Sequence, residues 1–131
     1  QRGQERARAR SARPDGYPDD DWPHFEKTRG ASAVIVGGDS RPRARDRIQE
    51  AFRFDQVDWI DPSDHRRVES LERSVRQHAV GVVILLRSFT PHAVDRTLLP
   101  ALKDTGTPWV SVDQGYGVTQ VRQAMERFWS G

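Results

Sequence analysis

The 131-residue chain has no cysteine and a single methionine. Without thiols there are no disulfides, no cysteine nucleophile and no thiolate metal site, and a cytoplasmic setting is the expectation. Long apolar runs are missing too. The longest, Val82–Leu86, falls far short of the roughly 18–20 residues that a membrane helix needs. The opening residues hold no apolar core, so no secretory signal is expected there. Net charge is only +2, too small to argue for a nucleic-acid partner by itself. The chain lacks a G-x-G-x-x-G fingerprint, a Walker A loop and a nucleophile elbow. His24, His65 and His78 are scattered with no metal-ligand spacing. No internal repeat is visible.

What is present is charge sorted by position. Arg2, Arg6, Arg8, Arg10 and Arg13 face only Glu5, and then Asp15, Asp19, Asp20, Asp21 and Glu26 face only Lys27. Pro14, Gly16, Pro18 and Pro23 punctuate the stretch. A segment so charged and so poor in apolar groups cannot offset its ordering entropy, which predicts a disordered tail over residues 1–20. Residues 21–31 form a linker or docking segment. Its Trp22 and Phe25 either fold back onto the domain or engage a protein partner.

From residue 32 the signals alternate. Ala33–Val36 is a β-branched run stopped by Gly37-Gly38, and an amphipathic pattern follows from Pro42 to Arg53 with Ala44, Ile48, Ala51 and Phe52 on one face. Gln56–Ile60 is a second strand. Val68, Leu71 and Val75 mark a second helix capped by Ser63 or Asp64. Gly81–Leu86 reads as a strand covered on both faces. Val94, Leu98, Ala101 and Leu102 mark a third helix that ends at Gly106 and is expected to kink or break at Pro100. Pro108–Val112 is a fourth strand, followed by a helix with Val118, Val121, Met125 and Phe128 inward. The expected fold over residues 32–131 is α/β: a small doubly wound, Rossmann- or flavodoxin-like, four-stranded parallel sheet in the order 2-1-3-4, with helices on both faces.

The stretch "VIVGGDSRPRARDRIQEAF", and later "SFTPHAVDRTLLPALKDTGTPWV" after an apolar strand, resembles the bacterial domain of unknown function 2325. The matching positions are Gly37-Gly38, Ser88 to His92, Lys103 and Gly106-Thr107-Pro108, within residues 32–129. Where many members of that family carry a turn rich in histidine and glycine, this chain has Ile60-Asp61-Pro62-Ser63-Asp64. The resemblance implies a Rossmann-like fold and supplies no mechanism.

Ligands of such sheets bind beyond the carboxyl ends of the strands, where the strand order reverses. Here that rim holds Gly37, Gly38, Asp39, Ser40 and Arg41 on one side, Arg87, Ser88 and Thr90 on the other, and Asp113 and Tyr116 to close it. Glycines permit close backbone approach, helix N-termini favour anions, and the arginines add charge-assisted donors. The glycine pair also reads simply as a tight strand-to-helix turn, and Asp39 opposes an anion unless it is paired. His92 beside Ser88 or Thr90 is a weak acid–base constellation, better explained by a cap or rim role, so no catalytic residue is assigned.

The leading expectation is a non-catalytic domain that binds a small anionic ligand, nucleotide or phosphate-like, or a partner protein, in a regulatory or scaffolding role. An alternative is a nucleic-acid-associated protein using Arg2, Arg6, Arg8, Arg10, Arg13, Arg43 and Arg47. A third is a metal-dependent enzyme built on Asp39, Asp61 and Asp113, which end three different strands. No cofactor is named by these patterns. Trp109 and Trp129 read either as simple packing or as a homodimer contact, because a four-stranded sheet has free edges.

Overall fold

The computed structural model describes residues 16–130. The expected Arg2, Arg6, Arg8, Arg10 and Arg13 contacts lie outside the described residues. Four parallel strands form one sheet in the order β2-β1-β3-β4, where β1 is Ser32–Val36, β2 Gln56–Ile60, β3 Val82–Leu86 and β4 Trp109–Val112. The register places Ile35 beside Trp59 on one side and Ile84 on the other. The helices are α1 (Phe25–Thr28), α2 (Pro42–Phe52), α3 (His65–Arg76), α4 (His92–Thr105) and α5 (Val118–Ser130), with a short 3-10 turn at Arg87–Phe89. No helix among the described residues is long and apolar enough to cross a membrane.

Side chains that alternate along each strand build two cores. Ala33, Ile35, Val57, Trp59, Ile84 and Leu86 meet α2 and α5 on one face. Val34, Val36, Ile60, Val83 and Leu85 meet α3 and α4 on the other. All five residues of β3 are buried, as a central parallel strand requires. The wound sheet is therefore the one that the apolar periodicity implies.

Three local details depart from expectation. Helix α4 runs unbroken through Pro100. Pro100 is exposed, so the Arg96 carbonyl that loses its helical donor can turn to water. Phe128, expected inward, is 41% exposed and leans on Trp109 with the rings 6.0 Å apart. Arg53, which ends α2, takes the left-handed conformation at φ 61° without being glycine. That backbone costs an L-residue roughly 1 kcal/mol. Its side chain offsets the strain, bonding Asp20 at 2.6 Å and lying 4.1 Å over the Phe25 ring.

That contact belongs to a larger correction. Residues 16–20, expected in the mobile tail, and residues 21–31 form a strap laid across α5 and α2. Trp22 and Phe25 are buried in the same core as Ile35 and Phe52. The Trp22 indole N–H donates to Glu126 at 2.9 Å, and its ring meets Phe25 edge-on and Phe52 at a tilt. The Arg122 guanidinium donates to the Gly16 carbonyl at 2.9 Å, and the Thr28 hydroxyl donates to the Phe52 carbonyl at 2.7 Å. Of the two roles open to Trp22 and Phe25, the folded-back one is realised. Their rings are spent on the domain.

Candidate functional site

The glycine pair does not open a cradle. A Cβ on Gly37 would come within 2.6 Å of the Leu86 side chain, so glycine is required there for the β1 and β3 tips to close on each other. Its carbonyl accepts the Trp59 indole N–H at 2.9 Å. Gly38 takes φ +64° beside the Phe89 ring, a conformation that favours glycine. Thr90 is buried, its hydroxyl 2.9 Å from the Val36 carbonyl and 2.8 Å from that of Leu86. One hydroxyl proton serves one of these acceptors at a time. Thr90 therefore ties the two strand ends together from the inside.

Two of the remaining expected residues, Arg87 and Ser88, are also committed. The Arg87 guanidinium donates to Asp95 at 2.6 Å and to the Ser111 hydroxyl at 3.1 Å. Ser88 donates to the Asp113 carbonyl at 3.1 Å. Arg87, Ser88 and Thr90 thus tie the end of β3 to its neighbours. Asp39, Ser40 and Asp113 are exposed. Asp61 closes its own turn, accepting the Ser63 backbone N–H at 2.9 Å and the Ser63 hydroxyl at 2.8 Å. Those donors favour the charged carboxylate and hold its pKa below the usual aspartate value. Among the described residues no three His, Asp or Glu side chains gather to hold a metal ion, so Asp39, Asp61 and Asp113 are not brought together.

Two expected residues do converge. The Arg41 guanidinium lies 4.5 Å from the Tyr116 ring centre and 5.6 Å from that of Phe89. Phe89 and Trp59 brace Tyr116 at 6.2 and 6.3 Å. Arg41 precedes α2 and Tyr116 precedes α5, so this shelf stands where two helices start beyond the sheet's carboxyl edge.

Beside the shelf is a cavity of about 740 Å³, lined by Tyr17, Arg41, Arg43, Ala44, Arg47, Tyr116, Gly117, Val118, Thr119 and Gln120. Arg43 and Arg47 sit one turn apart on α2, hence on one face. Neither makes an ion pair among the described residues, whereas Arg53, Arg76, Arg87 and Arg122 do. Across the cavity, Gly117 accepts from Val121 as α5 begins. The preceding first-turn N–H groups have no helical acceptor, and the helix end carries partial positive charge. No carboxylate is among the described lining residues. The α2 wall is cationic, and the α5 wall presents the partial positive charge of a helix start.

Tyr17 reaches this cavity from the strap. Its hydroxyl donates to Glu50 at 3.5 Å. Burial and the nearby Glu50 carboxylate raise its pKa, while Arg47 pulls the other way. Gly16 is pressed against Thr119, whose hydroxyl would stand in the way of any Cβ there. Reasoning from sequence named Arg43 and Arg47 only as nucleic-acid contacts and missed Tyr17, Thr119 and Gln120. The one available signal for the last two was the Gly117 break ahead of a helix, the same signal that was weighted at Gly37. No family model matches the chain, and neither the curated proteins nor the solved structures provide a match.

Proposed function

We propose that the protein is a non-catalytic Rossmann-like domain that binds a small, phosphate-bearing anionic ligand in the cavity between the starts of α2 and α5, in a regulatory or scaffolding role. The observation that carries this reading is the pair Arg43 and Arg47, unpaired among the described residues and facing a cavity with no carboxylate in its described lining. Guanidinium groups gain most from an oxyanion when it arrives in a partly enclosed site. The resemblance to domain 2325 is compatible with this fold and adds no activity.

The test is thermal unfolding of the full chain with inorganic phosphate, pyrophosphate and chloride at matched ionic strength. A ligand that binds only the native state raises the melting temperature by mass action. Pyrophosphate should do so beyond chloride, and Arg43→Gln with Arg47→Gln should abolish the difference. No difference in the unaltered protein would remove the reading. The same arginines are exposed and could instead meet a phosphate backbone. In that case a duplex or single strand, and not pyrophosphate, would raise the melting temperature.

A further inference from the structure

The cavity is larger and more varied than a phosphate needs. At about 740 Å³ it lies in the range of sites for whole small molecules, roughly 300–1,000 Å³. Pyrophosphate alone would leave most of it to water. Its composition also changes along α2. At the start of the helix stands the Arg41–Tyr116 shelf, in the middle come Arg43 and Ala44, and a turn further on Arg47 stands near Tyr17, whose pKa it influences.

The shelf is built as a platform. Arg41 covers Tyr116 at 4.5 Å, and Tyr116 is held by aromatic contacts with Trp59 and Phe89. Arg41 is half-buried, so ordering it against a ligand costs little further side-chain entropy. A planar guanidinium stacked on a ring offers a flat surface to a nucleobase. Charge points the same way. Arg41, Arg43 and Arg47 together with the α5 start outweigh a single phosphate and are better matched by a diphosphate.

Resting on the anion-binding reading above, we propose that the occupant is a free nucleotide carrying two or more phosphates. Its base lies on the Arg41–Tyr116 shelf, and its phosphates lie between Arg43, Arg47 and the first turn of α5. Ala44 and Val118 line the space between the two ends, where a sugar would pass. The strap, through Tyr17, closes the far side.

Calorimetric titration of the full chain with ADP, GDP, adenosine, pyrophosphate and a short single-stranded oligonucleotide tests this assignment. At least one nucleoside diphosphate should bind about tenfold tighter than pyrophosphate, the increment expected of one stacked base. Adenosine alone should bind too weakly to measure. Tyr116→Leu should bring nucleoside diphosphate affinity down to that of pyrophosphate measured on the same variant. Tyr116→Phe, which keeps the ring, should retain the nucleotide's advantage. Arg43→Gln with Arg47→Gln should weaken nucleotide and pyrophosphate alike. Equal affinity for ADP, GDP and pyrophosphate, indifferent to Tyr116→Leu, would overturn the nucleotide assignment while leaving an anion site. Loss of all binding would overturn both, and tight binding of the oligonucleotide alone would replace a free nucleotide with nucleic acid.

Discussion

Replacing Trp22 with alanine should unfold more than the strap. The indole is 8% exposed and touches His24, Phe25 and Phe52 with ring centres 5.1, 5.1 and 5.5 Å away. Truncating a buried aromatic of this kind costs about 3–5 kcal/mol, because the transfer energy is lost and a cavity remains. The bond from its N–H to Glu126 is lost as well, although Arg122, 3.5 Å away, still faces that carboxylate. Against a total stability of about 5–15 kcal/mol this is a large share. In urea unfolding followed by circular dichroism, a slope near 2 kcal/mol per molar turns a 4 kcal/mol loss into a midpoint lowered by about 2 M. Phe128→Ala is the matched control. At 41% exposure its ring should cost about 1 kcal/mol or less. If the two substitutions lower the midpoint equally, the strap is not part of the cooperative unit, and the domain starts near residue 32 after all.

Other consequences follow from single contacts. Gly37→Ala drives a methyl group into Leu86 and should lower stability by about 1–3 kcal/mol, whereas a cradle glycine would tolerate alanine in the absence of ligand. Thr90→Val keeps the shape but withdraws a hydroxyl donor shared by two strand-end carbonyls, at a cost of about 1–3 kcal/mol measured by the same unfolding assay. The Asp61 carboxyl, followed by NMR, should titrate below the usual aspartate range because Ser63 supplies two donors. A pKa depressed on folding adds stability above the unfolded value, and that stability is lost as pH falls through the folded one. Ser63→Ala should move the Asp61 midpoint upward and weaken this acid dependence. An unchanged midpoint would mean that the Ser63 hydroxyl bond is not formed in solution, because alanine keeps the backbone N–H donor.

The sheet was legible because its signals are local. Val34, Ile35 and Val36, and the run Val82–Leu86, are apolar without alternation, which marks strands covered on both faces, and the order 2-1-3-4 follows from placing those two in the middle. The strap was not legible. Its charges and prolines argue for disorder, and the contacts that reverse this join residues far apart in sequence, Gly16 to Arg122 and Trp22 to Glu126. The rim was half legible. Arg41 and Tyr116 do meet, but Arg87 is claimed by Asp95 and Thr90 by two carbonyls. No spacing rule reveals which polar side chains the fold will use on itself. The cavity therefore opens beside the strand ends, between α2 and α5.

Amide chemical-shift mapping of the full chain during titration with pyrophosphate reads the proposed position of the anion site residue by residue. Saturable shifts should gather at Arg43, Ala44 and the first turn of α5, Val118 to Gln120, and be absent from the Arg43→Gln, Arg47→Gln double variant. Shifts centred instead on Gly37, Gly38 and Ser88, or none at all, would contradict it.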